Sequence, residues 1–164
     1  MKIVVWIAEG TWPACAAAAS RVPAGADVEL LHVADDGLAA AARGAFIGLL
    51  GRGQPRRDPA KRVEALSDDA ADDVLAAAAT GIGRPVTRVK RHGQVEREVV
   101  LAAAGADLLI CARDGDRTRL GPHSLGPVTR FVVDHAPCPV LLLWPDLPPG
   151  VESIPPPPRP IPPR

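Results

Sequence analysis

Residues 106–144, ADLLICARDGDRTRLGPHSLGPVTRFVVDHAPCPVLLLW, decide the fold of this 164-residue chain. They read as a buried strand, a polar loop with glycines, a helix opening at Gly126–Pro127, a tight turn and a second buried strand. Proline suits the first helical position because the N–H it lacks has no intrahelical partner there. Two apolar strands joined through one helix indicate a parallel α/β sheet, and the loop after the first strand then lies outside its carboxyl end. Backbone N–H groups and a helix N-terminus meet an anion at such a place.

Working outward, three more apolar runs look like buried strands, at 2–8, 27–34 and 86–91, joining those at 107–112 and 140–144. Most are continuous rather than alternating, as expected where helices cover both faces of a sheet. Helices are expected over 13–22, 59–80 and 95–104, and from Pro127 to just before Pro137. The second has Val63, Leu66, Ala70, Val74 and Ala77 at helical spacing, Asp58 as candidate cap, Pro59 at its start and Gly81 at its end. Strand and helix alternate throughout, which gives one doubly wound parallel α/β domain over 1–145. Residues 36–58 form a long connection, with a short helix expected at 38–50 and a basic run of Arg52, Arg56, Arg57, Lys61 and Arg62. Residues 146–164 carry many prolines and read as a disordered or polyproline-II tail, solubilising by default, with partner docking as the alternative.

Lys plus Arg equals Asp plus Glu, 19 of each, so no net field favours nucleic acid or an anionic membrane. The three cysteines, Cys15, Cys111 and Cys138, show neither zinc spacing nor a disulfide framework. The first apolar run stops at Glu9, too early for a secretory signal, and no run is long enough for a membrane span. A cytoplasmic protein is expected.

Four pieces in order, IVVWIAEGT (3–11), VELLHVAD (28–35), ADLLICARDGD (106–116) and HAPCPVLLL (135–143), resemble the universal stress protein family. The resemblance covers 2–144. It implies a Rossmann-like five-stranded sheet in the order 3-2-1-4-5 with about four helices, and a homodimer in which Val140, Leu141, Leu142 and Leu143 pair with their symmetry mates. Nucleotide-binding members carry two glycines separated by two residues, then nine residues, then Gly-Ser or Gly-Thr. Counted back from HAPCPV, Gly126 takes the last glycine's place, Pro127 that of the hydroxyl, and Arg113 and Asp116 those of the earlier glycines. Gly115 is present but shifted. The resemblance also places Ala8, Glu9, Gly10 and Thr11 near the ribose and base, and Val33 beside an adenine ring.

These departures bear on chemistry. Pro127 offers no N–H, and Asp116 sets a negative charge where a polyphosphate would lie. Arg113, Arg117 and Arg119 add positive charge to the loop, while His123, Ser124 and the Leu125–Gly126 backbone add donors. Two readings follow. In the first the loop is a degenerate nucleotide site with weak or no ATP binding, no catalytic residue and no metal, and the protein is regulatory or protective through its dimer surface or a protein partner. In the second the arginines replace the missing donors, and the protein is an ATP switch, with Mg, possessing slow hydrolysis at most. A phosphorelay receiver is disfavoured because Glu9 lacks an acidic neighbour and no lysine ends the fifth strand.

Elsewhere the expectations are structural. His32 is read as a hydrogen-bonded core histidine and His135 as a ligand of helix C-terminal carbonyls. Cys111 and Cys138 are read as packing residues, and Asp68, Asp69, Asp72 and Asp73 as a solvated acidic face.

Overall fold

The computed structural model describes residues 1–35 and 59–156, with side chains placed from residue 68 onward in the second part. The 36–58 connection, its expected helix, the Asp58 cap, the basic run's side chains and residues 157–164 lie outside the described residues.

The chain runs β1 (Lys2–Trp6), α1 (Trp12–Ala19), β2 (Asp27–Asp35), α2 (Pro59–Ile82), β3 (Thr87–Gly93), α3 (Val95–Ala103), β4 (Leu108–Ala112), α4 (Pro127–His135) and β5 (Val140–Leu143). Short 3-10 turns lie at Pro122–Ser124 and Val151–Ser153. The five strands form one all-parallel sheet in the order β3-β2-β1-β4-β5, as expected. Among the described residues no helix is long and apolar enough to cross a membrane.

Alternate side chains of each strand feed two cores. Ile3, Val5, Ile7, Leu30 and Ile110 pack with Cys15, Ala16 and Ala19 of α1 and Leu75, Ala78 and Ile82 of α2. Val4, Trp6, Leu31, Val33, Leu109 and Cys111 pack with Val99 and Ala102 of α3 and Val132 of α4. With both faces covered, the central strands β1 (after Lys2) and β4 are apolar throughout, which is why they read as unbroken runs. The stretch expected as a buried apolar strand at 86–91 is instead the edge strand β3, TRVKRHG, whose residues are exposed or half-buried because an edge strand is covered less.

Element ends differ from the sequence expectation for identifiable reasons. β1 stops at Trp6 because the Ala8 carbonyl accepts the Thr11 and Trp12 N–H groups at 3.2 and 3.0 Å, turning the chain through Gly10 (φ +73°) into α1. α2 passes Gly81 and ends at Gly83, whose φ is +68° and whose N–H donates to the Ala79 carbonyl at 3.2 Å. Ile82 is buried in the core. Its burial gives about 1.5–3 kcal/mol, against about 1 kcal/mol lost to a glycine inside the helix. β3 extends to Gly93, since His92 and Gly93 stay in register with Ala34 and Asp35.

The acidic face of α2 meets the basic edge strand. Lys90 Nζ lies 2.7 Å from Asp72 and His92 Nε2 lies 3.3 Å from Asp68. The hydrogen bond to Asp72, with the charges of Asp72, Asp68 and Asp69 behind it, holds the Lys90 pKa above its ordinary value. Among the described residues searched, no group of three or more candidate ligands could hold a metal.

Candidate functional site

The loop from Arg113 to Gly126 leaves the carboxyl end of β4 and re-enters at α4. Its neck is a pair of backbone hydrogen bonds: the Gly115 N–H donates to the Ser124 carbonyl at 3.0 Å, and the Asp116 N–H to the His123 carbonyl at 2.8 Å. A Cβ on Gly115 would run into the His123 carbonyl oxygen. The shifted glycine thus serves close backbone approach within the neck.

Asp114 crosses that neck. Its Oδ1 accepts the N–H of Gly126, the residue before α4, at 2.7 Å. Helix α4 has no side-chain cap of the ordinary kind and begins at Pro127, which has no N–H to offer. A carboxylate at a helix N-terminus is favourable for the reason a phosphate is: both meet exposed N–H groups and the positive end of the helix dipole. The chain's own carboxylate therefore meets the helix end that the sequence reading marks as a candidate anion position.

The loop arginines are engaged within the protein. The Arg113 guanidinium bonds to the Ser124 hydroxyl and lies 4.8 Å from the centre of the Trp144 ring. Arg117 pairs with Asp146 at 2.8 Å and Arg119 with Asp116 at 3.2 Å. Asp116 also accepts the Thr118 hydroxyl at 2.6 Å and its N–H at 2.9 Å, and the Thr118 contacts lead in holding its carboxyl below the ordinary pKa. Ser124 is fully buried and donates to the Gly121 carbonyl at 2.7 Å. Arg130 of α4 donates to the carbonyls of Pro122 and Leu125. His123 is exposed. Residues 146–156, read from the sequence as tail, lie against this loop: the Ser153 hydroxyl accepts the Leu120 N–H at 3.0 Å.

Of the other sequence-named residues, Glu9 and Gly10 are exposed on the turn after β1, Thr11 is buried, and Val33 is buried on the α3/α4 side of the sheet. Thr11 bonds back to the Ala8 carbonyl at 3.3 Å. Trp6, Ala8, Thr11, Val95, Ala112, Asp114, Val128 and Thr129 line a cavity of about 180 Å³ here. Asp114 and Thr129 were missed from the sequence; an acid at a strand end, facing a helix that opens on Gly-Pro, was the available signal. His32 Nδ1 lies 2.8 Å from the Ile7 carbonyl and His135 Nδ1 lies 2.8 Å from the Phe131 carbonyl, both as expected. Cys111 is buried, and burial, then Asp114, pushes its thiol up to about 12, with Arg113 opposing. Such a thiol is no nucleophile at neutral pH.

Relatives support the architecture. The structure is similar to hypothetical protein MJ0577 (20% identity, 87% of this chain and 94% of that one, TM-score 0.57). It is also similar to a universal stress protein in complex with cAMP (15% identity, 89% and 98% covered, TM-score 0.58), and to UspA from Lactobacillus plantarum (22% identity, 87% and 97% covered, TM-score 0.50). No curated relative matches by sequence. The universal stress protein family model matches residues 3–143, nearly all of the sheet and its helices. On that match the chain belongs to the universal stress protein family.

Proposed function

We propose that this protein is a non-catalytic, regulatory or protective universal stress protein, cytoplasmic and homodimeric, with weak or no ATP binding. The observation that carries the reading is Asp114 on the Gly126 N–H at 2.7 Å. A triphosphate would have to displace this exposed carboxylate or lie beside it, where like charges repel. The committed arginines support it too, since each would have to leave a carboxylate or ring to meet phosphate. The cavity's size adds support: about 180 Å³, where small-molecule and cofactor pockets run to about 300–1,000 Å³.

The dimer is proposed through β5, an edge strand of four apolar residues with Leu141 exposed. A bare apolar edge invites pairing with another strand, and a symmetry mate supplies one.

The second reading, an ATP switch with Mg, draws on the similar protein solved in complex with cAMP. Calorimetric titration with Mg-ATP, with AMP and a non-adenine nucleotide as controls, separates the two. No saturable heat is expected. Saturable binding on the order of micromolar Kd would overturn the first reading and establish the second.

A further inference from the structure

The cavity of about 180 Å³ opens at the carboxyl ends of β1 and β4. An apolar cavity of about 150 Å³ holds benzene, so this one takes a body of roughly six heavy atoms. Most of its wall is apolar: Trp6, Val95 and Val128, with two alanines between. Its polar groups are few: one carboxylate, the Thr11 hydroxyl and the Thr129 hydroxyl, which can donate as well as accept.

Thr129 is wholly buried, and its Oγ1 has no hydrogen-bond partner. Leaving a buried hydroxyl unpaired is unfavourable, so a cavity wall with one is primed for a polar ligand atom. Among the described residues, Asp114 is the single charged side chain in the lining. Its Oδ1 takes the Gly126 N–H, but a carboxylate has about four lone-pair sites, and most remain open. The helix end carries about half a positive charge against the carboxylate's full negative one, so the mouth stays negative. Thr11 donates its own proton to the Ala8 carbonyl, leaving its lone pairs as acceptors. Acceptors, a net negative head and an indole wall suit a cation with a short hydrocarbon body.

We infer that this cavity binds a small primary amine with an apolar body. Its ammonium meets Asp114, with the Thr129 and Thr11 hydroxyls as further acceptors, and its carbon body lies against Trp6, Val95 and Val128. The inference rests on the proposed reading of the loop, because a phosphate in the cradle would displace Asp114. A simple alkylamine has a lysine-like pKa of about 10.4 and enters charged at neutral pH.

The test uses isoamylamine, isoamyl alcohol and isovalerate, three probes of one carbon skeleton, titrated into the full chain. Binding is followed by the Trp6 indole and Thr129 amide resonances. The amine is expected to saturate with Kd on the order of 1 mM, and the alcohol and acid to bind at least about tenfold more weakly. Asp114→Asn keeps an oxygen for the Gly126 N–H, so the fold is retained while the preference for the amine disappears. Thr129→Val, nearly isosteric, weakens the amine a few-fold without lowering the thermal midpoint. Equal binding of all three probes, tighter binding of isovalerate, or no saturable shift overturns the inference. Mg-ATP is titrated in parallel. Silence toward both amine and ATP overturns the amine site alone, whereas ATP binding overturns the reading of the loop beneath it.

Discussion

The Asp114 carboxylate receives the Gly126 N–H at 2.7 Å, spanning the neck of the loop between β4 and α4. Through that contact a carboxylate of the chain itself meets the N-terminal end of α4. The same contact is a helix cap, so it couples stability to ligand choice, and one substitution reads both.

Asp114→Ala removes the cap and should lower stability by about 0.5–2 kcal/mol. For a domain of this size that is about 2–4 °C of melting temperature per kcal/mol. Combined with Arg113→Gly, Asp116→Gly and Pro127→Ser, it also reopens the cradle, and ATP affinity should rise by at least about tenfold. Calorimetry on the combined variant checks this; unchanged or weakened nucleotide binding would mean that the native arginines, not the missing donors, govern the site.

Glycines that look alike in the sequence should respond differently. Gly81 lies inside α2 with open space around it, so Gly81→Ala should stabilise by about 0.5–1 kcal/mol. Gly83 has φ +68°, so Gly83→Ala should cost about 1–2 kcal/mol. At Gly115 the backbone angle is ordinary and the obstacle is steric; Gly115→Ala should cost about 1–3 kcal/mol as the neck spreads. Urea midpoints of the three variants give the order directly.

Those glycines also show where sequence reading stops. The central strands were legible because burial on two faces writes continuous apolar runs, their order came from the family resemblance, and the helix starts at Pro59 and Pro127 were legible because proline marks a first turn. Choosing Gly81 over Gly83 as the end of α2 failed because the deciding term is tertiary: Ile82 packs into the core and draws the helix two residues further. The loop was legible as a polar connection between β4 and α4 and as a departure from the family pattern. Its central contact was not, because Asp114 and Gly126 are twelve residues apart and meet only when the neck closes. Arg113 and Arg117 read as free donors, since Trp144 and Asp146 follow β5 and meet them only in the fold, whereas the Arg119–Asp116 pair lies within the loop three residues apart.

The edge strand gives a prediction about assembly. Leu141 is 41% exposed on β5 in the isolated chain. Leu141→Lys sets like charges against each other across a two-fold strand pair while sparing the core, and should convert a dimer to a monomer. Light scattering on the native and variant chains reads the mass. A native monomer, or a variant that remains dimeric, removes β5 as the interface.

The buried thiols predict how stability depends on pH. Burial is the leading cause that pushes both Cys15 and Cys111 from 9.0 up to about 12; each is raised further by its neighbour, Cys111 for the first and Asp114 for the second. The unfolded chain ionises these thiols near 9.0 while the folded one keeps them neutral to about 12. Over that window the unfolded state holds fewer protons, so rising pH favours unfolding. Their contribution is complete below the unfolded value and is lost as pH climbs toward the folded one. Lysines titrate in the same range, so the informative quantity is the difference between native protein and a Cys15→Ala, Cys111→Ala variant. The two unfolding free energies, measured in urea at a series of alkaline pH values, should converge as pH rises, the native chain declining more steeply. Parallel slopes would mean that the thiols ionise alike in both states and are reached by solvent, in which case Cys111 should also react with iodoacetamide in the folded protein.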